Sequence, residues 1–198
     1  MIIILLWMIG FSLIHSLTAD KRFKDWVAEH SSERFRHGWY RLFYNILSVI
    51  SLAPLFLYMF STSTPIYSVP AWLIPIFLAI QLVGIIGLGI SILQIDWMRF
   101  AGFRQVHAYL TGGQLPLADE TLKTDGLYGF VRHPLYLFSL LFLWFSPTMS
   151  NSALIFNIMT TLYFVFGSII EEKRMIAYYG QHYKNYQENV PWLIPFVR

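Results

Sequence analysis

The chain predicts an all-α fold, a polytopic membrane bundle of about five transmembrane helices with a polar cytoplasmic loop and a C-terminal helix. Three observations carry this. All 25 charged residues (14 Lys and Arg, 11 Asp and Glu) fall in three blocks, residues 20–41, 96–132 and 171–198, separated by stretches with no formal charge. A soluble domain scatters charge over its surface, whereas a charge at the centre of a bilayer is costly. Hydrophobic residues make up 56% of the chain and aromatics 18%, above the usual globular range and suited to interfacial belts. Finally, the segments that follow the first, third and fifth apolar stretches hold every Lys and Arg, six, four and four in order.

A helix needs about 20 apolar residues to cross a bilayer. The first span is placed at residues 1–18. It lacks a basic leader and a small-residue cleavage site, so it reads as a retained span and not a signal peptide. Residues 42–95 contain 54 uncharged positions, enough for spans at 42–60 and 71–95 around the Ser/Thr/Pro-rich turn 61–70. Residues 133–170 contain 38, read as a hairpin of spans 133–147 and 152–170 broken around Pro147, Thr148 and Asn151. Its first arm is short, tilted or partly re-entrant. At 198 residues the whole chain, 1–198, is one domain. The positive-inside rule puts the N-terminus outside and the C-terminus in the cytoplasm.

Composition also excludes. There is no cysteine, hence no disulfide, thiolate nucleophile or Cys-ligated metal. The net charge of +3 sits beside apolar spans, which points to the lipid bilayer and its anionic headgroups and not to nucleic acid. Histidines 15, 30, 37, 107, 133 and 182 show no metal-ligand spacing, so no metal is expected. Zincin, P-loop, Rossmann and serine-elbow motifs are missing.

Two constellations stand out. The loop before the fourth span reads Thr124-Asp125-Gly126-Leu127-Tyr128-Gly129-Phe130-Val131-Arg132-His133-Pro134-Leu135-Tyr136. Gly126 permits a tight turn, and Pro134 favours the first turn of a helix. Arg132 and His133 then sit at a helix N-terminus, where free N–H groups and a guanidinium suit a carboxylate. Equally, Arg132 could reach a lipid phosphate and His133 merely cap the helix. The second is Glu171-Glu172 directly after an apolar run. Two carboxylates at the C-terminal end of a membrane helix oppose its dipole. A ligand ammonium or sulfonium would explain the pair. The bland reading is a solvated stop signal compensated by Lys173 and Arg174. Tyr179, Tyr183 and Tyr186 recur at helical spacing, as an interfacial anchor or the roof of a pocket. Gly84, Gly87 and Gly89 allow close helix packing, or a ligand approach at Gly87 and Gly89. His15 is an intramembrane ionisable group, either functional or a hydrogen-bonded core histidine.

The ordered set of Gly126-Leu127-Tyr128, Arg132-His133-Pro134-Leu135-Tyr136, Glu171-Glu172, Gly180, Tyr183, Tyr186 and Val190-Pro191 resembles the integral-membrane methyltransferases. That superfamily includes isoprenylcysteine carboxyl methyltransferases and phospholipid N-methyltransferases. His15-Ser16, residues 40–45, Asp96 with residues 102–105, and Pro147-Thr148-Met149 look like the branch of NnrU-type proteins and methanethiol S-methyltransferases. The resemblance implies S-adenosylmethionine held at the cytoplasmic face by Gly126, Leu127, Tyr128, His133, Pro134, Tyr136, Glu171, Glu172 and Tyr183, with Gly87 and Gly89 joining from an earlier span. Arg132, His133 and Arg174 are then the candidates for direct participation in chemistry. The implied reaction is in-line methyl transfer to a small or lipid-soluble thiol or carboxyl acceptor. Two alternatives stay open. One is a haem-binding isomerase like the carotene isomerases that NnrU-type proteins resemble, with His15 and His107 or His133 as ligands. The other is a non-catalytic membrane scaffold.

Overall fold

A computed structural model describes residues 1–197. In chain order it contains α1 (Ile2–Ala19), α2 (Lys21–His30), α3 (Glu33–Gly38), α4 (Tyr40–Thr62), β1 (Pro65–Ser68) and α5 (Ile74–Leu93). There follow α6 (Trp97–Ala101), α7 (Phe103–Leu110), α8 (Leu127–Phe130), α9 (Pro134–Trp144), β2 (Thr148–Ser150), α10 (Asn151–Tyr179) and α11 (Gln181–Asn189). Among the described residues, four helices are long and apolar enough to cross a membrane: α1, α4, α10 and the stretch Ala71–Leu93 that ends in α5. The chain divides into two compact units, Met1–Thr62 with Asp96–Glu120, and Ser63–Ile95 with Thr121–Arg198.

In the first unit α1 lies against α4. Their seam is polar at intervals: Trp7 Nε1 donates to Ser51 O at 2.8 Å, Tyr40 hydroxyl to Thr18 O, and His15 sits between Ser48 and Tyr44. Helices α2, α3 and α6 each begin at a side-chain cap. Asp20 accepts from Arg22 N, Ser32 from Phe35 N and Asp96 from Arg99 N, so orphan N–H groups are satisfied. The α6–α7 turn is fastened to α4 by Arg41 Nε on Phe100 O at 3.0 Å and Asn45 Nδ2 on Ala101 O at 2.9 Å.

The second unit is built on the α5–α9 pair. Gly84, Gly87 and Ser91 are buried on one face of α5, and α9 packs into it. A Cβ on Gly87 would lie 2.3 Å from the Phe138 ring, so only glycine admits that ring. The expected short fourth arm, 133–147, is helical over only part of its length. Helix α9 has 11 residues, about 16 Å at 1.5 Å per residue, well short of a hydrocarbon core of about 30 Å. Nevertheless the segment accompanies α5 from end to end. Leu127 N meets Gln94, Phe138 meets Gly87, Phe145 packs at a tilt against Phe77, and Ser68 meets Thr148. Extended chain makes up the missing length. Near the helix end side chains take two carbonyls that lack intrahelical partners: Gln81 Nε2 donates to Phe142 O and Asn157 Nδ2 to Leu143 O, both at 2.9 Å. The two turns flanking these helices meet as an antiparallel β1–β2 pair, which the sequence reading treated as plain turns.

Helix α10 also differs from expectation. It runs nine residues past Ile170 to Tyr179, so Glu171 and Glu172 are interior positions and not a helix terminus. The dipole argument against them therefore falls away. The tyrosine stripe is likewise split by Gly180: Tyr179 ends α10, while Tyr183 and Tyr186 are buried in α11 against Leu122, Met175 and Ile176. It faces inward and not towards lipid.

Candidate functional site

The site is assembled entirely within the second unit, from the α8–α9 loop, the turns of α10 around Glu171 and Glu172, and α11 with its tail. Gly126 opens the loop at φ 59° and ψ −132°, a conformation only glycine adopts readily. A side chain there would also strike the Gln94 amide, with Nε2 at 2.3 Å from a Cβ. Gln94 in turn accepts from Leu127 N at 2.9 Å through Oε1, capping α8. Tyr128 O accepts from the Tyr186 hydroxyl. Burial pushes the Tyr128 phenol up to about 12, with the Glu171 carboxylate adding to the effect. Burial likewise raises Tyr183 and Tyr186, so these phenols stay neutral.

Beyond Val131, which is fully buried, the chain presents Arg132 and His133. Arg132 Nε donates to Glu172 Oε1 at 2.6 Å, and Nη1 donates to Gln187 O at 3.0 Å and Val190 O at 2.6 Å. His133 is 6% exposed; its Nε2 lies 3.2 Å from Glu172 Oε1 and its Nδ1 3.7 Å from Glu171 Oε2. Its ring stacks on Tyr136, interplanar angle 2°, and Tyr136 stacks on Phe164. The Tyr136 hydroxyl donates to Glu171 Oε2 at 2.9 Å. Gln187 Nε2 donates to the remaining Glu172 oxygen at 2.8 Å.

The two glutamates are therefore unequal. Glu172, 14% exposed in its side chain, is engaged by Arg132, His133 and Gln187. Glu171 is 40% exposed, and Tyr136 orients it. Arg132 engages Glu172, whereas the contacts of the Glu171 carboxylate are the Tyr136 hydroxyl and His133 Nδ1. A cation fits there.

Several sequence expectations change. The backbone N–H groups of Arg132 and His133, offered to a ligand on sequence grounds, donate to Pro191 O at 2.9 Å and Trp192 O at 3.2 Å. Arg132 is bonded to protein partners and not held open for a carboxylate. Arg174 is exposed on α10, outside the hydrogen-bonded cluster. Gly87 is filled by Phe138, and nothing lies within 4 Å of a Cβ on Gly89, which is exposed. Pro134 is buried as the first residue of α9, and Tyr183 is 3% exposed behind the cluster. His15 has Ser48 Oγ at Nδ1 and the Tyr44 hydroxyl at Nε2, so neither ring nitrogen is open to a haem iron. Gln94 and Gln187 escaped notice. Gln94 is the lone strongly polar residue closing an apolar span, and Gln187 lies four residues after Tyr183; both signals are faint.

Similarity to known proteins follows the same lines. The chain is 31% identical over 190 residues to a methanethiol S-methyltransferase of Crocosphaera subtropica, covering 94% of this chain and 71% of that protein. It is 32% identical over 198 residues to methanethiol S-methyltransferase 1 of Bradyrhizobium diazoefficiens, covering all of this chain and 67% of that protein. Over 84 residues, 40% of this chain and 35% of the other, it is 33% identical to the protein-S-isoprenylcysteine O-methyltransferase of Schizosaccharomyces pombe. No solved structure matches. A helical membrane chain with these relatives is a membrane methyltransferase. More narrowly, residues 3–190 match the family described as "Protein of unknown function (DUF1295)", and the chain belongs to that family.

Proposed function

We infer that the chain is an S-adenosylmethionine-dependent methyltransferase, one domain acting on a small or lipid-soluble thiol or carboxyl acceptor at the cytoplasmic face, with the N-terminus outside. The observation that carries this is the 40% exposed Glu171 carboxylate, set beside the aromatic stack of His133, Tyr136 and Phe164. The donor set fits the cofactor: an accessible carboxylate for an ammonium, the aromatic column of His133, Tyr136 and Phe164 beside it, and the Gly126–Tyr128 loop as a wall. When bound, the cofactor supplies a methyl group already activated on sulfonium sulfur.

The protein's own task is then alignment and exclusion of water. Tyr136 fixes the Glu171 carboxylate. Glu172 and the stacked Tyr136 ring fix the plane of His133. A thiol or carboxyl acceptor needs little base assistance, and His133 Nδ1, on the Glu171 side, is the group placed to take a proton if one must leave. Similarity to methanethiol S-methyltransferases along nearly the whole chain supports a small thiol as acceptor.

Calorimetric titration of S-adenosylmethionine into detergent-solubilised protein tests the reading. Loss of one charge-assisted hydrogen bond is worth about 1.5–3 kcal/mol, so Glu171→Gln should weaken binding roughly 10- to 100-fold. His133→Ala should weaken it as well. No heat of binding at millimolar cofactor would overturn the assignment.

A further inference from the structure

Arg132 stands where a ligand-binding arginine was expected, yet its bonding describes another task. Three of its N–H groups are bonded, one to Glu172 and two to carbonyls of the last turn and end of α11, Gln187 O and Val190 O. Carbonyls at a helix end lack partners within the helix, and a cation there also answers the dipole. The next two links continue the same seam: Arg132 N to Pro191 O, then His133 N to Trp192 O. Gln187 closes it from the other side by donating to Glu172. Residues 187–192 are thus drawn across Arg132 and His133 by five protein–protein hydrogen bonds, and the guanidinium lies at their centre, 11% exposed.

We propose that Arg132 is a positioning residue that fastens residues 187–192 as a strap over His133, and that it does not bind the cofactor's carboxylate. Gln187 is the second fastening. The proposal rests on the methyltransferase reading for its ligand but not for its geometry. A fastened strap holds His133 by its backbone and keeps Glu172 occupied, which leaves Glu171 as the carboxylate that meets a cation.

The test compares S-adenosylmethionine with its decarboxylated analogue on the full-length protein and on Arg132→Lys, alongside amide hydrogen exchange of residues 130–134 and 186–197. If Arg132 positions the strap, Arg132→Lys weakens both compounds equally, their affinity ratio staying within about twofold of wild type. Amide exchange at Arg132 and His133 accelerates by about tenfold or more, because their acceptors have moved. If the affinity for S-adenosylmethionine falls and that for the analogue does not, Arg132 binds the carboxylate and the proposal is overturned. Unchanged exchange overturns it as well. Should Arg132→Lys fail to fold, Gln187→Ala leaves the Arg132–Glu172 pair intact; the same acceleration is expected at smaller amplitude, and its absence counts against the strap. If wild type binds neither compound, the functional reading fails while the exchange measurement still judges the strap.

Discussion

Single residues decide how the loop over the candidate site is held. At Gly126 a substitution meets both an unfavourable backbone region and the Gln94 amide. Gly126→Ala should therefore cost about 1–3 kcal/mol, seen as a lower Tm in detergent. Gln94→Ala strands Leu127 N, a loss of about 1–2 kcal/mol. The buried phenols give a pH signature. Tyr128, Tyr183 and Tyr186 all titrate higher in the folded chain than the ordinary 10.0, Tyr128 at about 12. The folded state keeps protons that the unfolded state releases, so their stabilisation is complete below pH 10.0 and is lost as pH climbs from there. Melting temperatures measured above that pH should fall, and less steeply in Tyr128→Phe. Removing Glu172 is a different matter from removing Glu171. Glu172→Ala leaves Arg132 largely buried without its carboxylate, a change that typically costs about 3–5 kcal/mol.

At the scale of elements, the α5–α9 pair and the α1–α4 pair are held by different physics. The first depends on shape: Gly87→Leu places a side chain where the Phe138 ring sits, and the expected result is lost expression of folded protein, read by size-exclusion chromatography. The end of α9 depends on hydrogen bonds. Asn157→Leu is close in volume but leaves Leu143 O without its donor, an expected loss of about 1–2 kcal/mol in a denaturation series. The second pair depends on His15. His15→Ala removes contacts to Ser48 and Tyr44, worth about 0.6–2 kcal/mol in a membrane setting. Since both ring nitrogens are occupied, purified protein should show no Soret band that depends on His15. A band lost in His15→Ala would restore the haem alternative.

For the molecule as a whole, apolar length and charge grouping made the spans legible, because the bilayer imposes both. What they mark is the membrane edge, not the helix end. Glu171, Glu172, Lys173 and Arg174 are good helix formers, so α10 continues where the charge pattern changes. The β1–β2 pair was illegible because strands of four and three residues exist only through each other, some 80 positions apart. Within the candidate site, the residue types of the Arg-His-Pro bend and the acidic doublet could be read in advance. Arg132's engagement could not, since two of its three side-chain bonds go to backbone carbonyls, which have no signature in the sequence. The proposed orientation has its own check: a fluorescent reporter fused at the C-terminus should mature, and a periplasmic phosphatase fused there should stay silent. Helix α10, with 29 residues, is about 43 Å long against an acyl interior of about 30 Å. Its overhang ties the height of Glu171 to lipid chain length. Reconstituted turnover should consequently pass through an optimum as acyl chains are lengthened, with thin and thick vesicles both inferior.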